Sequence, residues 1–180
     1  MHIIYRFNWR ETVARRVFYS FHFKNDFSRT QQVRNMKALE GNSLATPNRW
    51  EEIKQSGDNA IKSWINSNMD GKSCLVVLVG SETSLRRWVR YEIRKAWEDK
   101  RGVLGIYVHG LKDLNGNTST KGNSPFSDLK VSEDGSLVTL GSIPPLKNPA
   151  GATSKEKYAS IQNNIENWIE EAIDLRAQYK

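Results

Sequence analysis

Cysteine and histidine are scarce in this sequence, with one cysteine and three histidines among 180 residues. A single thiol cannot form an internal disulfide. Because Cys74 lies inside the apolar run 74–79, we expect it to be a small buried hydrophobic residue in a reducing, cytoplasmic compartment. His2, His22 and His109 have no recognised metal-ligand spacing, so we do not expect a zinc site.

Long apolar segments are also missing. The longest apolar run is 74–79, far shorter than the roughly 20 residues that a membrane-spanning helix needs. Residues 1–14 alternate apolar with polar or charged side chains and contain no continuous apolar core of a secretion signal. We therefore expect neither membrane binding nor secretion. The length fits a single domain over residues 15–180, preceded by an N-terminal extension at 1–14.

Acidic side chains are fewer than basic ones. The sequence has 27 lysines and arginines but only 20 aspartates and glutamates, and its formal net charge is +7. A field of this sign attracts anions, so a nucleotide, a nucleic acid or an acidic surface would suit it. No RNA- or DNA-binding motif accompanies the charge, and basic side chains at helical spacing commonly form a solvated face. Nucleic acid is therefore the weakest of these candidates.

The apolar and polar patterns predict an α/β domain. The run 73–80 is aliphatic without polar alternation, which is typical of a parallel strand buried on both faces. A helix at 84–100 and a second apolar strand at 102–109 follow it, and this order indicates a parallel crossover. The remaining predictions are a first strand at 16–23, helices at 27–39 and 59–68, a loop or edge strand at 41–55, a long loop region at about 110–152 with one hairpin-like stretch at 136–140, and a closing C-terminal helix at 153–178 that begins with a capping box of Thr153 and Glu156.

The predicted helix at 84–100 carries a carboxylate on its apolar side. At 100° per residue, the residues of that side are Leu85, Trp88, Val89, Ile93 and Ala96. Glu92 falls among them, whereas Arg87, Arg90 and Arg94 lie opposite. Burying an uncompensated carboxylate costs several kcal/mol. Glu92 therefore either pairs with a neighbouring lysine or arginine, lies at the edge of the apolar stripe, or faces a cleft.

The position of Glu92 in the predicted sheet favours the cleft. Its helix follows the strand 73–80, and ligands of open α/β sheets bind at the carboxyl ends of parallel strands. If the first strand is parallel to this one, Phe21, His22 and Lys24 project from the same edge. An aromatic ring, an imidazole and an ammonium group near a carboxylate suit a flat, anionic nucleotide. A histidine at a strand end is also common as a purely structural residue.

Three segments in a fixed order then identify a family. They are RRVFYSFHF at 15–23, SCLVVLVGSETSLRRWVRYEI at 73–93 and GVLGIYVHGLKDLNGNTSTKGNSPF at 102–126. The first contains Ser20 and Phe21 at the position of a Ser-Phe or Ser-Tyr pair, and the second ends in W-x-x-x-E, formed by Trp88 and Glu92. Together they resemble the Toll/interleukin-1 receptor (TIR) domains, in particular the TIR-like group of bacterial Thoeris anti-phage systems. The resemblance implies a flavodoxin-like fold with a central, mainly parallel β-sheet flanked by helices.

The resemblance also implies an activity. In catalytic TIR domains the glutamate of W-x-x-x-E is essential for cleaving NAD⁺, which assigns the catalytic role to Glu92. Trp88, one helical turn earlier, would pack beside the nicotinamide or ribose, unless it is a core aromatic residue. The predicted substrate-binding residues are Ser20, Phe21, His22, Lys24 and Trp88.

NAD⁺ would be the substrate rather than a bound cofactor, and no metal is implied. The Thoeris group implies a phage trigger and a cyclic ADP-ribose-type messenger that activates a separate effector protein, and TIR domains commonly self-associate. The sequence departs from the usual pattern in having Val89 directly after the motif tryptophan, where cysteine is common, and in lacking an obvious assembly loop within 41–55. The alternative is a non-catalytic TIR-like module for protein interaction or nucleotide sensing.

Overall fold

The structure is a computed structural model that describes residues 15–36, 40–41 and 52–179. The predicted N-terminal extension at 1–14 lies outside these residues. The strands are β1 (Arg16–Phe21), β2 (Glu40–Gly41), β3 (Cys74–Val79), β4 (Gly102–Tyr107), β5 (Lys130–Glu133), β6 (Ser136–Thr139) and β7 (Leu146–Lys147). The helices are α1 (Phe23–Arg34), α2 (Asp58–Met69), α3 (Arg87–Glu98) and α4 (Ser154–Ala177), with a 3-10 turn at Thr83–Leu85 before α3.

The central sheet is parallel, with strand order β2-β1-β3-β4-β7. The chain moves first to one side of β1 and then to the other, as in flavodoxin-like folds. The predicted α/β class and the parallel crossover from β3 to β4 are therefore confirmed. The region 110–152 contains more regular structure than a long loop, because β5 and β6 form an antiparallel hairpin and β7 extends the sheet.

Helices cover both faces of the sheet, and the strand residues alternate between them. In β1, Phe18 belongs to the core beneath α2, α3 and the hairpin, whereas Val17 and Tyr19 belong to the core beneath α1 and α4. β3 and β4 are buried along their whole length, as the continuous apolar runs predict for strands covered on both faces. Cys74 is a free thiol within the second of these cores.

Two helix starts differ from the prediction. α1 begins at Phe23 rather than at 27, because the rings of Phe23 and Phe27, one turn apart, pack together with centroids 4.9 Å apart. The first strand accordingly ends at Phe21 rather than at 23. α3 begins at Arg87, and Leu85 is 73% exposed in the preceding 3-10 turn, so its assignment to the inward side was wrong.

The predicted loop or edge strand at 41–55 is partly outside the described residues. The short strand β2 ends at Gly41 and pairs with β1, residues 42–51 are not described, and residues 52–55 are helical. The helix predicted at 59–68 is confirmed as α2.

The C-terminal helix closes the second face as predicted. The side chain of Thr153 accepts a hydrogen bond from the backbone amide of Glu156, whose carboxylate in turn accepts from the Thr153 amide, so the capping box is present. Near the other end, Arg176 is 2% exposed, stacks on Trp97 and forms an ion pair with Glu133 of the hairpin. No helix in the described part of the chain has both the length and the apolar character that a bilayer span requires.

Candidate active site

Glu92 lies in the middle of α3, on the side that packs against the sheet. It is 7% exposed, and Val89, Ile93 and Ala96 around it are buried. The helical spacing therefore placed the carboxylate correctly even though the helix starts later than predicted. Ser20, near the end of β1, points to the same face of the sheet and donates a hydrogen bond from its hydroxyl to Oε2 of Glu92. The carboxylate is thus held at the carboxyl edge of β1.

Burial dominates the electrostatics of Glu92. Removal from water raises its pKa to about 8, and the Ser20 hydrogen bond acts in the opposite direction by stabilising the charged form. Among the described residues, no lysine, arginine or histidine forms an ion pair with Glu92. Pairing with a neighbouring cation, one of the open explanations for its inward position, does not occur within this part of the chain. A neutral carboxylic acid is the resting form near neutral pH.

Trp88 lies one turn before Glu92 and is partly buried against the core beneath α2 and α3. The guanidinium of Arg87 lies 4.4 Å from the centre of one face of its ring system, and Tyr91 packs edge-on with centroids 5.8 Å apart. The indole therefore combines core packing with partial exposure beside the helix that holds Glu92.

His22 lies at the edge of the sheet, at the residue that precedes α1. Its Nδ1 is 3.7 Å from a carboxylate oxygen of Glu82, which follows β3 and is ion-paired with Arg86. Burial and, secondarily, the charge of Arg86 lower the pKa of His22, and Glu82 opposes them. The imidazole is therefore neutral near pH 7. The only sign of Glu82 and Arg86 in the sequence is their four-residue spacing, which is that of a helical ion pair.

Phe21 does not converge on Glu92. Phe21 follows Ser20 in the strand and therefore faces the opposite side of the sheet, where its ring stacks on Phe23 with centroids 5.9 Å apart. Lys24 is exposed in the first turn of α1. The structure thus brings Ser20 to Glu92 and His22 to the adjoining loop, and it corrects the expectation that the Phe21 ring points toward the carboxylate.

A buried ion pair that the sequence did not predict lies beneath this edge. Asp26 and Arg29 of α1 are 0% and 3% exposed, and Nη1 of Arg29 is 3.2 Å from Oδ1 of Asp26. Arg29 also donates to the carbonyls of Leu111 and Asn117, which ties α1 to the segment after β4. Gly80, directly after β3, lies so close to Asp26 that a Cβ at this position would overlap the carboxylate. The three-residue spacing of an acid and a base was the only signal in the sequence.

The same stretch of chain matches a known family. The family model for the TIR-like domain of the Thoeris protein ThsB matches residues 18–113, which include Ser20, Glu92 and the strands β3 and β4. This chain belongs to the ThsB TIR-like family. A relative from Bacillus cereus (strain MSX-D12), named "Putative cyclic ADP-D-ribose synthase ThsB1", is 40% identical over 136 residues, which cover 71% of this chain and 70% of the relative. The family resemblance read from the three sequence segments is confirmed.

Proposed function

We propose that this protein is a cytoplasmic enzyme of anti-phage defence that cleaves NAD⁺, releases nicotinamide and forms a cyclic ADP-ribose-type product, with Glu92 as the catalytic residue. The observation that carries the proposal is a buried glutamate at the carboxyl edge of a parallel sheet, bonded to Ser20 and without a cationic partner among the described residues. The name of the Bacillus cereus relative supports the reaction type.

The chemistry needs one carboxylate rather than an acid–base pair. When the bond between nicotinamide and ribose breaks, nicotinamide takes the bonding electron pair and leaves as a neutral molecule, so no proton has to be supplied to it. The ribose carbon develops oxocarbenium character, as in glycoside cleavage. A carboxylate beside that carbon stabilises the growing positive charge more than it stabilises the ground state, and this difference lowers the barrier.

Cyclisation follows if a nucleophilic atom of the substrate's own ADP portion, rather than water, attacks the ribose carbon. The new bond replaces the bond to nicotinamide, so the product keeps every heavy atom of the ADP-ribosyl group and consumes no water. The low exposure of Glu92 favours this outcome, because a site with little water gives the internal nucleophile an advantage over hydrolysis.

Substrate charge and Ser20 together prepare the carboxylate. The nicotinamide ring of NAD⁺ is cationic, and a nearby positive charge lowers the pKa of a carboxyl group. Ser20 contributes in the same direction through its hydrogen bond and also orients the carboxylate. Binding of substrate would therefore convert Glu92 from the neutral resting form to the charged form that catalysis uses.

The other predicted contacts are part of the proposal. Trp88 offers a partly exposed ring surface next to Glu92, and His22 and Lys24 offer polar groups at the sheet edge for the ribose or diphosphate. Phe21 packs on the other face of the sheet, so we propose that it contacts an outer part of the substrate, such as the adenine. We propose further that the product activates a separate effector protein, that phage infection triggers the enzyme, and that it self-associates.

The test is analysis of the reaction products by mass spectrometry, using purified protein and protein taken from phage-infected cells. We expect nicotinamide and a product one water lighter than ADP-ribose, and we expect both to be lost in Glu92→Gln. Nicotinamide with ADP-ribose alone would support cleavage and overturn cyclisation. NAD⁺ binding without any turnover under either condition would support the alternative, a non-catalytic sensing or interaction module.

A further inference from the structure

A second concave surface lies at the carboxyl edge of the sheet, on the face opposite Glu92. It is an open groove of about 730 Å³ between the segment that follows β4, Gln32 of α1 and the first turns of α4. Its volume is within the range of small-molecule sites, roughly 300–1,000 Å³. Glu92 and Ser20 belong to the face covered by α2 and α3, so this groove, which we call the α4 groove, is separate from the candidate active site.

The charges that line the α4 groove all have one sign. Lys112, Lys155 and Lys157 contribute to its wall, and no aspartate or glutamate does. The carboxylate of Glu156, in the same turn, is engaged in the capping box and accepts hydrogen bonds from the amides of Ala152 and Thr153. The chain as a whole has 27 basic and 20 acidic side chains, so this uniform sign departs from the average surface. The local field attracts anions.

Backbone donors point to the same ligand class. The first amides of a helix have no partner within the helix. In α4, Thr153 occupies the amides of Glu156 and Lys157 through its side chain and carbonyl, whereas those of Ser154 and Lys155 make no hydrogen bond in the part of the chain that the structure describes. Both residues line the groove. Free amides at a helix N-terminus next to lysine side chains are the usual donors for a phosphate group.

Two half-buried polar side chains of the wall, His109 and Ser119, give a further indication. Their Nδ1 and Oγ atoms are shielded from solvent and have no hydrogen-bond partner within the described residues. Burial lowers the pKa of His109, and the charges of Lys157, Lys121 and Arg29 lower it further. The effect of these three cations indicates a positive potential at this wall. A polar atom shielded from solvent without a partner requires a partner from outside the chain, and a ligand or water in the groove would supply it.

We propose that the α4 groove binds a small phosphate ester, with the phosphate contacting Lys112, Lys155 and the free amides of α4. Tyr158 also lines the groove and offers a ring against which a base or sugar can pack. A nucleotide is the ligand class that combines these features. The proposal does not depend on the proposed function, because it concerns the opposite face of the sheet.

The experiment is a calorimetric titration of the full chain with ADP, adenosine and inorganic phosphate at fixed salt. We expect ADP to bind at least tenfold more tightly than either adenosine or phosphate alone. The double variant Lys112→Ala/Lys155→Ala should weaken ADP binding at least tenfold, because one charge-assisted hydrogen bond is worth about a tenfold change or more. The control Lys130→Ala, which removes an exposed lysine from the hairpin, should leave the affinity within about twofold of the parent protein.

Each other outcome overturns the proposal in an identifiable way. ADP affinity that is unchanged in the double variant would place ADP elsewhere, including at the Glu92 site, and would overturn it. Phosphate that binds as tightly as ADP would mean a free-anion site. A single-stranded oligonucleotide that binds more tightly than ADP, with a steep salt dependence lost in the double variant, would indicate a nucleic-acid surface. The readout is binding and not NAD⁺ cleavage, so a failure to bind ADP in the groove would leave the proposed function intact. A failure to cleave NAD⁺ would likewise leave the groove proposal intact.

Discussion

Glu92→Gln should change how the stability of the protein depends on pH. In the folded protein Glu92 keeps its proton up to about pH 8, whereas the unfolded chain releases it near the ordinary value of 4.5. Between these values the folded state binds more protons than the unfolded state, so the free energy of unfolding falls as the pH rises. Glutamine has nearly the same shape, can accept the Ser20 hydrogen bond and does not titrate. The variant should therefore lose this part of the pH dependence.

The expected size follows from the two pKa values. Between pH 5 and pH 8, the difference in proton binding at Glu92 alone should lower the free energy of unfolding of the wild type by roughly 3–4 kcal/mol. This is a large part of the total stability of a typical domain, roughly 5–15 kcal/mol. At pH 5 the two proteins should be similar, and at pH 8 the variant should be clearly more stable.

Urea unfolding at pH 5, 6, 7 and 8 measures the difference directly. Glu166→Gln makes the same change at an exposed position of α4. A plot of its free energy of unfolding against pH should run parallel to that of the wild type. Other titrating groups contribute equally to all three proteins, so they cancel in the comparison. Parallel curves for wild type and Glu92→Gln would show that Glu92 ionises normally and would refute the reasoning about its burial.

Three further predictions concern Ser20, Gly80 and Arg176. Ser20→Ala removes the hydroxyl that stabilises the charged carboxylate, so the pH profile of NAD⁺ cleavage should move to higher pH and the rate near neutral pH should fall about tenfold. A rate profile identical to the wild type would contradict an orienting role. Gly80→Ala forces a methyl group into Asp26 and should lower the free energy of unfolding by roughly 1–3 kcal/mol, visible as a lower melting temperature. Arg176→Ala removes the cationic partner of Glu133 in the hairpin and should cost roughly 3–5 kcal/mol in urea unfolding, although the Trp97 indole still donates to the other oxygen of that carboxylate. Unchanged stability would show that the hairpin is not anchored there.

The elements that the sequence predicted best are those with a continuous or strictly periodic pattern. β3 and β4 are apolar along their whole length because both faces of the sheet are covered, and this leaves an unambiguous signature. The inward position of Glu92 followed from helical periodicity, which depends only on relative angles and therefore survived a shift in the helix start. The capping box of α4 is a local motif and was equally readable.

The errors arise where two local patterns compete or where distant segments meet. Phe23 and Phe27 are bulky aromatic residues that suit a strand by composition, yet their contact one turn apart stabilises the start of α1. Strand alternation alone places Ser20 and Phe21 on opposite faces of the sheet, so the expectation that Phe21 points toward Glu92 neglected a rule that the sequence already contained. The α4 groove combines residues from four separate segments, and no pattern within any one of them indicates it.

The most direct test of the central claim compares the initial rate of nicotinamide release from NAD⁺ by the wild type, Glu92→Gln and Glu166→Gln, under the condition in which the wild type is active. We predict that Glu92→Gln reduces the rate by at least ~10²-fold, because it removes the charge that stabilises the oxocarbenium-like transition state. Glu166→Gln should release nicotinamide at the wild-type rate. Equal rates for Glu92→Gln and the wild type would contradict a catalytic role for the buried carboxylate.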